Sequence, residues 1–312
     1  MDIITDPNEL FALLNLNQPI YLPPEFKLRV PRSFVARMEK GNPIDPLLLQ
    51  ILPIKEEEIA HPDFSPHALQ EDKFNPIPGL LHKYHGRVLI IPAVSCAVNC
   101  RYCFRREFAY DENNMGRAGW DKIINYIQAD KSITEIILSG GDPLVAKDNI
   151  LKAFVDKILT INHIKTLRIH TRIPIVMPER ITTEFISFMK QIPLRKIMVV
   201  HANHPNEIDQ SIKKTMAKLK RADITLLNQS ALLKNINDNS ETLIQLSEKL
   251  FDCGILPYYL NMLDKVRGTS HFDVSDDTAK QLIKTMRERL PGYLVPKLVR
   301  EVPGEKHKLP LL

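Results

Sequence analysis

From residue 88 onward, short apolar runs alternate with amphipathic stretches. The apolar runs predict strands at 88–91, 135–138, 166–169, 196–200, 224–227, 256–260 and 295–299. The stretches between them predict helices at 120–128, 150–159, 183–189, 208–220, 240–251 and 278–290. Strands that alternate with helices in this way are typical of βαβ units and a parallel sheet, which is either open or part of a barrel.

Polar motifs follow the predicted strands at regular intervals. They are the cysteine-containing loop from residue 96, residues 139–143, 170–172, 201–206 and 228–230, and Asp264 shortly after the sixth strand. Open parallel sheets and barrels both place their active sites at the carboxyl ends of the strands. We therefore expect these motifs to meet at one edge of the sheet.

Residues 1–78 carry a different pattern, which is rich in proline and contains short amphipathic patches. The patch at 9–14 follows Asp6, a possible helix cap, and Pro7 at the first helical position. Further patches lie at 33–38 and 46–52. We expect a helical extension over 1–78 that covers a main domain over 79–312, and we assign no chemistry to the extension.

Composition adds limited information. The chain has 312 residues, of which 44% are hydrophobic and 25% charged, and Lys+Arg exceed Asp+Glu by 42 − 37 = 5. These values are ordinary for a globular protein, and the small positive excess is spread along the chain. They point to neither a nucleic-acid nor a membrane partner. Because there is no charged start with an apolar segment and no apolar run of about 18 residues, we expect a cytoplasmic protein.

Cys96, Cys100 and Cys103 form the densest cluster of reactive side chains, since three of the four cysteines lie within eight residues. This spacing does not resemble a disulfide framework, and free thiols favour a reducing compartment. Thiolates suit zinc or iron. Zinc usually takes four ligands, whereas a [4Fe–4S] cluster held by three cysteines keeps one iron open. An incomplete zinc knuckle and three unrelated core cysteines are the alternatives.

The spacing C-x₃-C-x-aromatic-C, with Tyr102 before the last cysteine, resembles the signature of the radical SAM superfamily. This resemblance implies a partial (β/α)6 barrel of the TIM type within an α/β fold. It also implies that S-adenosylmethionine (SAM) chelates the open iron, and that reduction of the cluster yields a 5′-deoxyadenosyl radical.

The sequence Gly140-Gly141-Asp142-Pro143 resembles the GGEP-type element that meets the methionyl amino group of SAM in this superfamily. Asp142 stands where that element often has Glu. Two glycines after a strand can also form a simple tight turn. Further candidates for SAM contacts lie at the ends of the second, fourth and fifth strands, namely Ser139, His201 and Gln229.

A narrower resemblance runs in order from about residue 80 to residue 312. The segments that carry it are 82–89, 103–108, 203–207, 227–230, 257–259, 271–272 and 303–310. Together they resemble the lysine 2,3-aminomutase family. This implies a pyridoxal 5′-phosphate (PLP) cofactor bound as a Schiff base to Lys308. Lys306 competes for that assignment, and a solvated tail is the alternative for both lysines.

The same resemblance assigns further residues. Arg87, with Lys83 and Tyr84, matches the PLP side of the site, and a guanidinium suits a phosphate. Arg105 matches the arginine that binds the α-carboxylate of the substrate, although it could instead be a surface charge.

Asp264 and Glu301 match the two acidic residues that bind the ε-ammonium group of L-lysine. Glu301 stands where an aspartate is usual, so its arm is one methylene longer.

The end of the chain resembles the short bacterial branch that makes (R)-β-lysine for elongation factor P, with a separate ligase attaching the product. The family implies an electron donor such as flavodoxin or ferredoxin. The longer family members have zinc-binding cysteines that have no counterpart here, because the one cysteine outside the motif, Cys253, is predicted to be a core residue. We therefore expect no structural zinc.

The implied reaction starts when the deoxyadenosyl radical removes hydrogen from C3 of lysine held as an external aldimine with PLP. The nitrogen then migrates from C2 to C3. Two alternatives stay open. One is a free-standing aminomutase acting on lysine or another amino acid, and the other is a non-catalytic iron–sulfur or zinc module.

Overall fold

The computed structural model describes residues 2–17, 19–21, 23, 25–114 and 116–312. Its strands are β1 (Ile3–Ile4), β2 (Val30–Pro31), β3 (Leu80–Tyr84), β4 (Arg87–Ala93), β5 (Glu135–Gly140), β6 (Thr166–Thr171), β7 (Arg195–Val200), β8 (Ile224–Ala231), β9 (Leu256–Asn261), β10 (Lys297–Arg300) and β11 (Leu309–Pro310). Its α-helices are α1 (Pro7–Leu14), α2 (Arg32–Val35), α3 (Trp120–Ala129), α4 (Asp148–Ile158), α5 (Ile173–Val176), α6 (Thr183–Gln191), α7 (Gln210–Lys220), α8 (Ser240–Asp252) and α9 (Asp276–Arg289). No helix in the described ranges is long and apolar enough to cross a bilayer.

Strands β3 to β11 form one nine-stranded sheet in which neighbours in space are neighbours in the chain. Strands β4 to β10 run parallel, whereas β3 and β11 pair antiparallel at the two edges. The predicted parallel α/β sheet is therefore confirmed, with all seven predicted strands and all six predicted helices present. The edge strands are not paired with each other among the described residues. Lys83 of β3 nevertheless contacts Glu301, just after β10, so the sheet curls into a partial barrel.

The two faces of the sheet have different surroundings because successive side chains of a strand point to opposite faces. Outward-facing residues such as Ile136, Leu167 and Met198 are buried in one apolar cluster with α4 and α7. The inner face carries polar residues together with apolar ones such as Val199, which pairs with His170. At the carboxyl ends of the strands it presents Ser139, His170, His201, Gln229, Asn261 and Glu301. The apolar pattern thus fixes which side chains enter the interior.

The extension over 1–78 contains less regular helix than expected. Asp6 caps α1 by accepting from the Asn8 backbone N–H at 2.9 Å, with Pro7 at the first helical position as predicted. The predicted helix at 46–52 is wrong, because that segment forms successive turns. Asp45 accepts from the backbone N–H groups of Leu47 and Leu48 at 2.8 and 2.9 Å and turns the chain there.

The extension also shares the main core. Leu10, Phe34, Leu48 and Ile51 lie in the same buried cluster as the outward residues of the sheet. Cys253 lies in this cluster as well and is 7% exposed, which confirms the prediction that it is a core residue. The division into domains at residues 78 and 79 stays a prediction.

Candidate active site

The cysteine loop leaves the carboxyl end of β4 and is held by the extension. The Arg101 backbone N–H donates to the Gln50 carbonyl oxygen at 2.9 Å, and the Cys103 N–H donates to the Cys100 carbonyl oxygen at 3.0 Å. Burial raises the pKa of the Cys96 thiol well above its usual value, and the Cys103 thiol adds to the shift. Burial, followed by Cys100, raises the pKa of Cys103 to about 11.

The residues around these thiols agree with the predicted iron–sulfur cluster, which stays a prediction. Among the described residues, no three Cys, His, Asp or Glu side chains converge as ligands of one metal ion. Three cysteines in one loop can supply thiolates for three of the four irons of a [4Fe–4S] cluster and leave the fourth iron open. Bound iron deprotonates its thiol ligands and removes the cost of burying thiolates. The Arg172 guanidinium lies against Cys100, and its buried Nε has no partner in the described part of the chain, so one cationic donor stays available to an anionic cluster.

Gly140 and Gly141 bring β5 against the start of this loop. Gly140 has φ +108°, and a Cβ atom there would lie 2.6 Å from the Ile91 side chain. A Cβ atom on Gly141 would lie 2.5 Å from the Ser95 carbonyl oxygen. Both positions therefore require glycine.

The carboxylate of Asp142 is already engaged in hydrogen bonds with neighbouring residues of the protein. It accepts from the Thr171 hydroxyl at 2.7 Å and from the backbone N–H groups of Arg172 at 2.7 Å and Leu144 at 3.0 Å. The carboxylate therefore organises the loops after β5 and β6. A SAM contact by this element, which stays a prediction, would involve its backbone rather than the Asp142 carboxylate.

The other SAM-side candidates lie on the inner face. His201 Nε2 lies 3.2 Å from the Tyr102 hydroxyl. Burial, with the nearby Arg172 charge, lowers the pKa of His201 to about 3, so its imidazole is neutral at neutral pH. Gln229 of β8 is half-buried beside Tyr259 of β9. Ser139 is the second-last residue of β5 and faces Arg105, whose Nη1 donates to the Ser139 hydroxyl at 3.4 Å.

A second group of side chains gathers where the two sheet edges approach each other. Lys308 Nζ lies 3.1 Å from a Glu301 carboxylate oxygen and donates to Asn261 Oδ1 at 2.9 Å. Glu301 also pairs with Lys83 of β3. Strand β11 directly follows Lys308 and pairs with β10, which holds this lysine against the inner face. Lys306 is exposed, so the geometry favours Lys308 as the residue of the interior.

The two acidic residues of this group differ in protonation. Burial opposes ionisation of Glu301, but Lys308 and Lys83 outweigh it and lower the pKa to about 2. Burial raises the pKa of Asp264 to about 7, with Lys308 opposing the shift and Glu301 adding to it. Burial and then Glu301 raise the pKa of the Tyr84 hydroxyl. The interior therefore holds one fixed carboxylate and one that takes up a proton near neutral pH.

The PLP-side residues fit an anionic cofactor only in part. The Arg87 guanidinium stacks over the Tyr84 ring at 4.7 Å and forms no salt bridge among the described residues, so it can receive a phosphate. Lys83 is already engaged by Glu301. His170 of β6 carries a buried Nε2 without a partner in the described chain, which leaves it able to bond a bound molecule. The half-buried amine of Lys308 lies close to this group, paired with Glu301 at 3.1 Å, and the PLP site stays a prediction.

Arg105 is buried rather than a surface charge, with 6% exposure. Its guanidinium forms a two-bond salt bridge with Glu71 of the extension, Nε to Oε2 at 2.7 Å and Nη2 to Oε1 at 2.8 Å. Only Nη1 faces Ser139 and the Gly140 carbonyl oxygen, at 3.4 and 3.3 Å. This pair was not predictable from local patterns, because Glu71 lies 34 residues away in a segment to which we assigned no chemistry.

The extension supplies polar partners to the cysteine loop that the sequence analysis did not anticipate. Glu57 pairs with both Arg101 and Arg106, and Gln50 reaches the polar network beneath the cysteine loop. That network also contains Arg172, Tyr102, Asn203 and Glu207. Apart from Gln50, its members lie in segments that sequence reasoning singled out, but only Tyr102 had received a role.

Comparisons with known proteins show the family of the chain. A model of the Radical SAM superfamily matches residues 90–246. The chain is 49% identical to the L-lysine 2,3-aminomutase of Escherichia coli K12, over 99% of this chain and 92% of that protein. It is also 49% identical to the L-lysine 2,3-aminomutase of Haemophilus influenzae Rd, over 98% of this chain and 92% of that protein. The enzyme of the same name from Clostridium subterminale is 32% identical, over 92% of this chain and 69% of that protein. The chain therefore belongs to the radical SAM superfamily and, within it, to the lysine 2,3-aminomutase family of isomerases.

Proposed function

We propose that this protein is an L-lysine 2,3-aminomutase that converts L-α-lysine to (R)-β-lysine. The observation that carries the proposal is the pairing of Lys308 with Glu301, with Asp264 close enough for both charges to shift its pKa, on the same sheet whose first parallel strand leads into the loop of Cys96, Cys100 and Cys103. This supports a radical source and a lysine-binding interior at one edge of the sheet. Such an arrangement keeps a reactive intermediate away from water.

Three cofactors follow from the residues. Cys96, Cys100 and Cys103 would hold the [4Fe–4S] cluster, with SAM on the open iron beside Gly140–Gly141, Ser139, His201 and Gln229. Lys308 would carry PLP, with Arg87, Tyr84 and Lys83 on the phosphate side. When bound, these groups supply the radical and the electron sink, and the chain supplies orientation and exclusion of water.

The substrate assignment follows from charge. Asp264 would bind the ε-ammonium of L-lysine, because a cation beside a carboxylate that is half protonated near pH 7 drives its ionisation. Glu301 would join it once Lys308 turns to the cofactor, since these two side chains are paired at 3.1 Å. Arg105 would bind the α-carboxylate through Nη1, the nitrogen that Glu71 leaves free.

The biological role is a further part of the proposal. The sequence of residues 295–301, with Lys308 at the seventh position after Glu301, supports assignment to the branch that supplies β-lysine for elongation factor P through a separate ligase. A cytoplasmic location and an electron donor such as flavodoxin or ferredoxin follow, since free thiols and a reducible cluster need a reducing compartment.

The test is anaerobic reconstitution with iron, sulfide and PLP, followed by SAM, dithionite and L-lysine, with chiral chromatography of the product. (R)-β-Lysine is the expected product, and Lys308→Ala should abolish it whereas Lys306→Ala should retain it. Formation of (S)-β-lysine would instead assign the protein to the branch of the family that acts in free lysine metabolism. No β-lysine from protein with an intact cluster and bound PLP would contradict the substrate assignment.

The link to elongation factor P is tested separately. Deleting the gene should leave elongation factor P carrying α-lysine or no lysine, as read by mass spectrometry of the intact protein. Unchanged β-lysylated elongation factor P would contradict this role and leave the aminomutase assignment standing.

A further inference from the structure

Arg172 lies beneath the cysteine loop in a fixed orientation. It directly follows β6, and its backbone N–H donates to the Asp142 carboxylate at 2.7 Å. The side chain is 6% exposed. Its guanidinium lies over the rings of Phe34 and Tyr102, at 5.2 and 5.7 Å from their centres. The sequence predicted polar residues after this strand but assigned Arg172 no role.

The contact that matters is with a cysteine. Arg172 Nη1 donates to Cys100 Sγ at 2.8 Å. On its other side, Nη2 donates to Gln50 Oε1 at 2.6 Å and to Glu207 Oε2 at 3.0 Å. These two acceptors are buried at 0% exposure and belong to elements far apart in the chain, so they prevent the guanidinium from turning away from the sulfur.

Glu207 is itself held in place by the protein. Its Oε1 accepts from the backbone N–H groups of Asn203 and His204, at 2.8 and 3.0 Å. The carboxylate charge is thereby spread over several donors. The positively charged guanidinium of Arg172, in contrast, contacts the Cys100 sulfur atom directly.

We propose that Arg172 is a positioning residue for the iron–sulfur cluster. Its guanidinium donates a hydrogen bond to the Cys100 sulfur ligand, and this bond raises the reduction potential of the cluster. Reduction adds one electron from the external donor to the cluster and its sulfur ligands. Hydrogen bonds to the sulfurs and nearby charge are among the factors that set such potentials. A buried cation that donates to a sulfur stabilises the reduced form more than the oxidised form, and burial limits screening by solvent.

This inference rests on the proposed cluster at Cys96, Cys100 and Cys103. The test is a redox titration of reconstituted protein without SAM, with mediators and dithionite, in which electron paramagnetic resonance follows the reduced cluster. Arg172→Gln removes the charge and the forked donor. We expect a more negative midpoint, with the ratio of reduced to oxidised cluster about tenfold lower at the wild-type midpoint, as for one charge-assisted hydrogen bond.

Arg37→Gln is the matched control. Arg37 lies over the same Phe34 ring at 5.3 Å and donates to the backbone oxygens of Ile175 and Glu207, without a bond to a cysteine. Its midpoint should stay at the wild-type value. An Arg172→Gln midpoint equal to that of Arg37→Gln would overturn the inference.

Arg172→Lys decides the question if the glutamine variant does not assemble a cluster. An ammonium group keeps the charge but cannot reach Cys100, Gln50 and Glu207 with the geometry of a planar fork. We expect the midpoint potential of this variant to be more negative than that of the wild type. A wild-type midpoint in this variant would overturn the inference. Absence of any cluster signal in the wild-type protein would instead overturn the proposed function.

Discussion

Lys83, on the first strand of the nine-stranded sheet, forms a salt bridge with Glu301, which follows the last parallel strand. The two side chains are 11% and 12% exposed. Glu301 also pairs with Lys308 at 3.1 Å. One carboxylate thus joins the two edges of the open sheet and holds the lysine that would carry PLP.

Replacing Lys83 by Met should therefore destabilise the protein. Removing one partner of a buried ion pair leaves an uncompensated charge, and we expect a loss on the order of 2–3 kcal/mol because Lys308 still compensates Glu301. Urea denaturation of the PLP-free protein measures it. The control Lys152→Met breaks an exposed pair with Asp156, whose side chains are 51% and 55% exposed, and should cost roughly 0.5 kcal/mol or less. Equal losses in the two variants would contradict a structural role for the Lys83–Glu301 pair.

Asp264→Asn should stabilise the PLP-free protein in a pH-dependent way. The pKa of Asp264 is about 7 in the folded protein, against an ordinary value of 3.8. Protonated Asp264 thus contributes stability that is complete below pH 3.8 and is lost as the pH rises to about 7. Asparagine carries no such proton, so the variant should gain relative to wild type across this window, by on the order of 4 kcal/mol in total. Denaturation at several pH values measures the gain, and a difference independent of pH would contradict the assigned protonation.

Glu71→Gln tests whether the extension orients Arg105 for the substrate. The amide places an N–H group against one guanidinium nitrogen, so Arg105 should lose its fixed orientation. We expect KM for L-lysine to rise about tenfold, as for one charged hydrogen bond, with a smaller change in kcat. Glu71, Arg105 and Glu112 all line a cavity of about 340 Å³, and Glu112 is exposed, so Glu112→Gln should leave KM unchanged. A lower KM in Glu71→Gln would mean that Glu71 competes with the substrate instead of positioning Arg105.

Gly141→Ala should impair assembly of the cluster. The added methyl would lie 2.5 Å from the Ser95 carbonyl oxygen, so the backbone directly before Cys96 must shift. Iron content and the visible absorbance of the reconstituted protein measure the loss. Gly292→Ala is the matched control, because a Cβ atom there meets nothing within 4 Å. Full iron content in Gly141→Ala would show that the loop tolerates the displacement.

Local patterns were sufficient to predict the main elements. Alternating apolar runs and helical stretches gave all seven parallel strands and the six long helices, because the periodicity of a strand or helix is set by neighbours along the chain. The edge strands β3 and β11 were not predicted. The second has only two residues, and its pairing depends on β10 rather than on its own pattern.

The sequence by itself determined the parallel α/β order of elements, the cysteine spacing and the lysine near the end of the chain. Only the tertiary structure decided which charges meet. Arg172 with Cys100, Arg105 with Glu71, and Lys83 with Glu301 join residues 72, 34 and 218 positions apart. Such contacts depend on how the extension packs on the strand ends and how far the sheet curls. No local periodicity encodes those distances, because they arise only when distant segments are packed together.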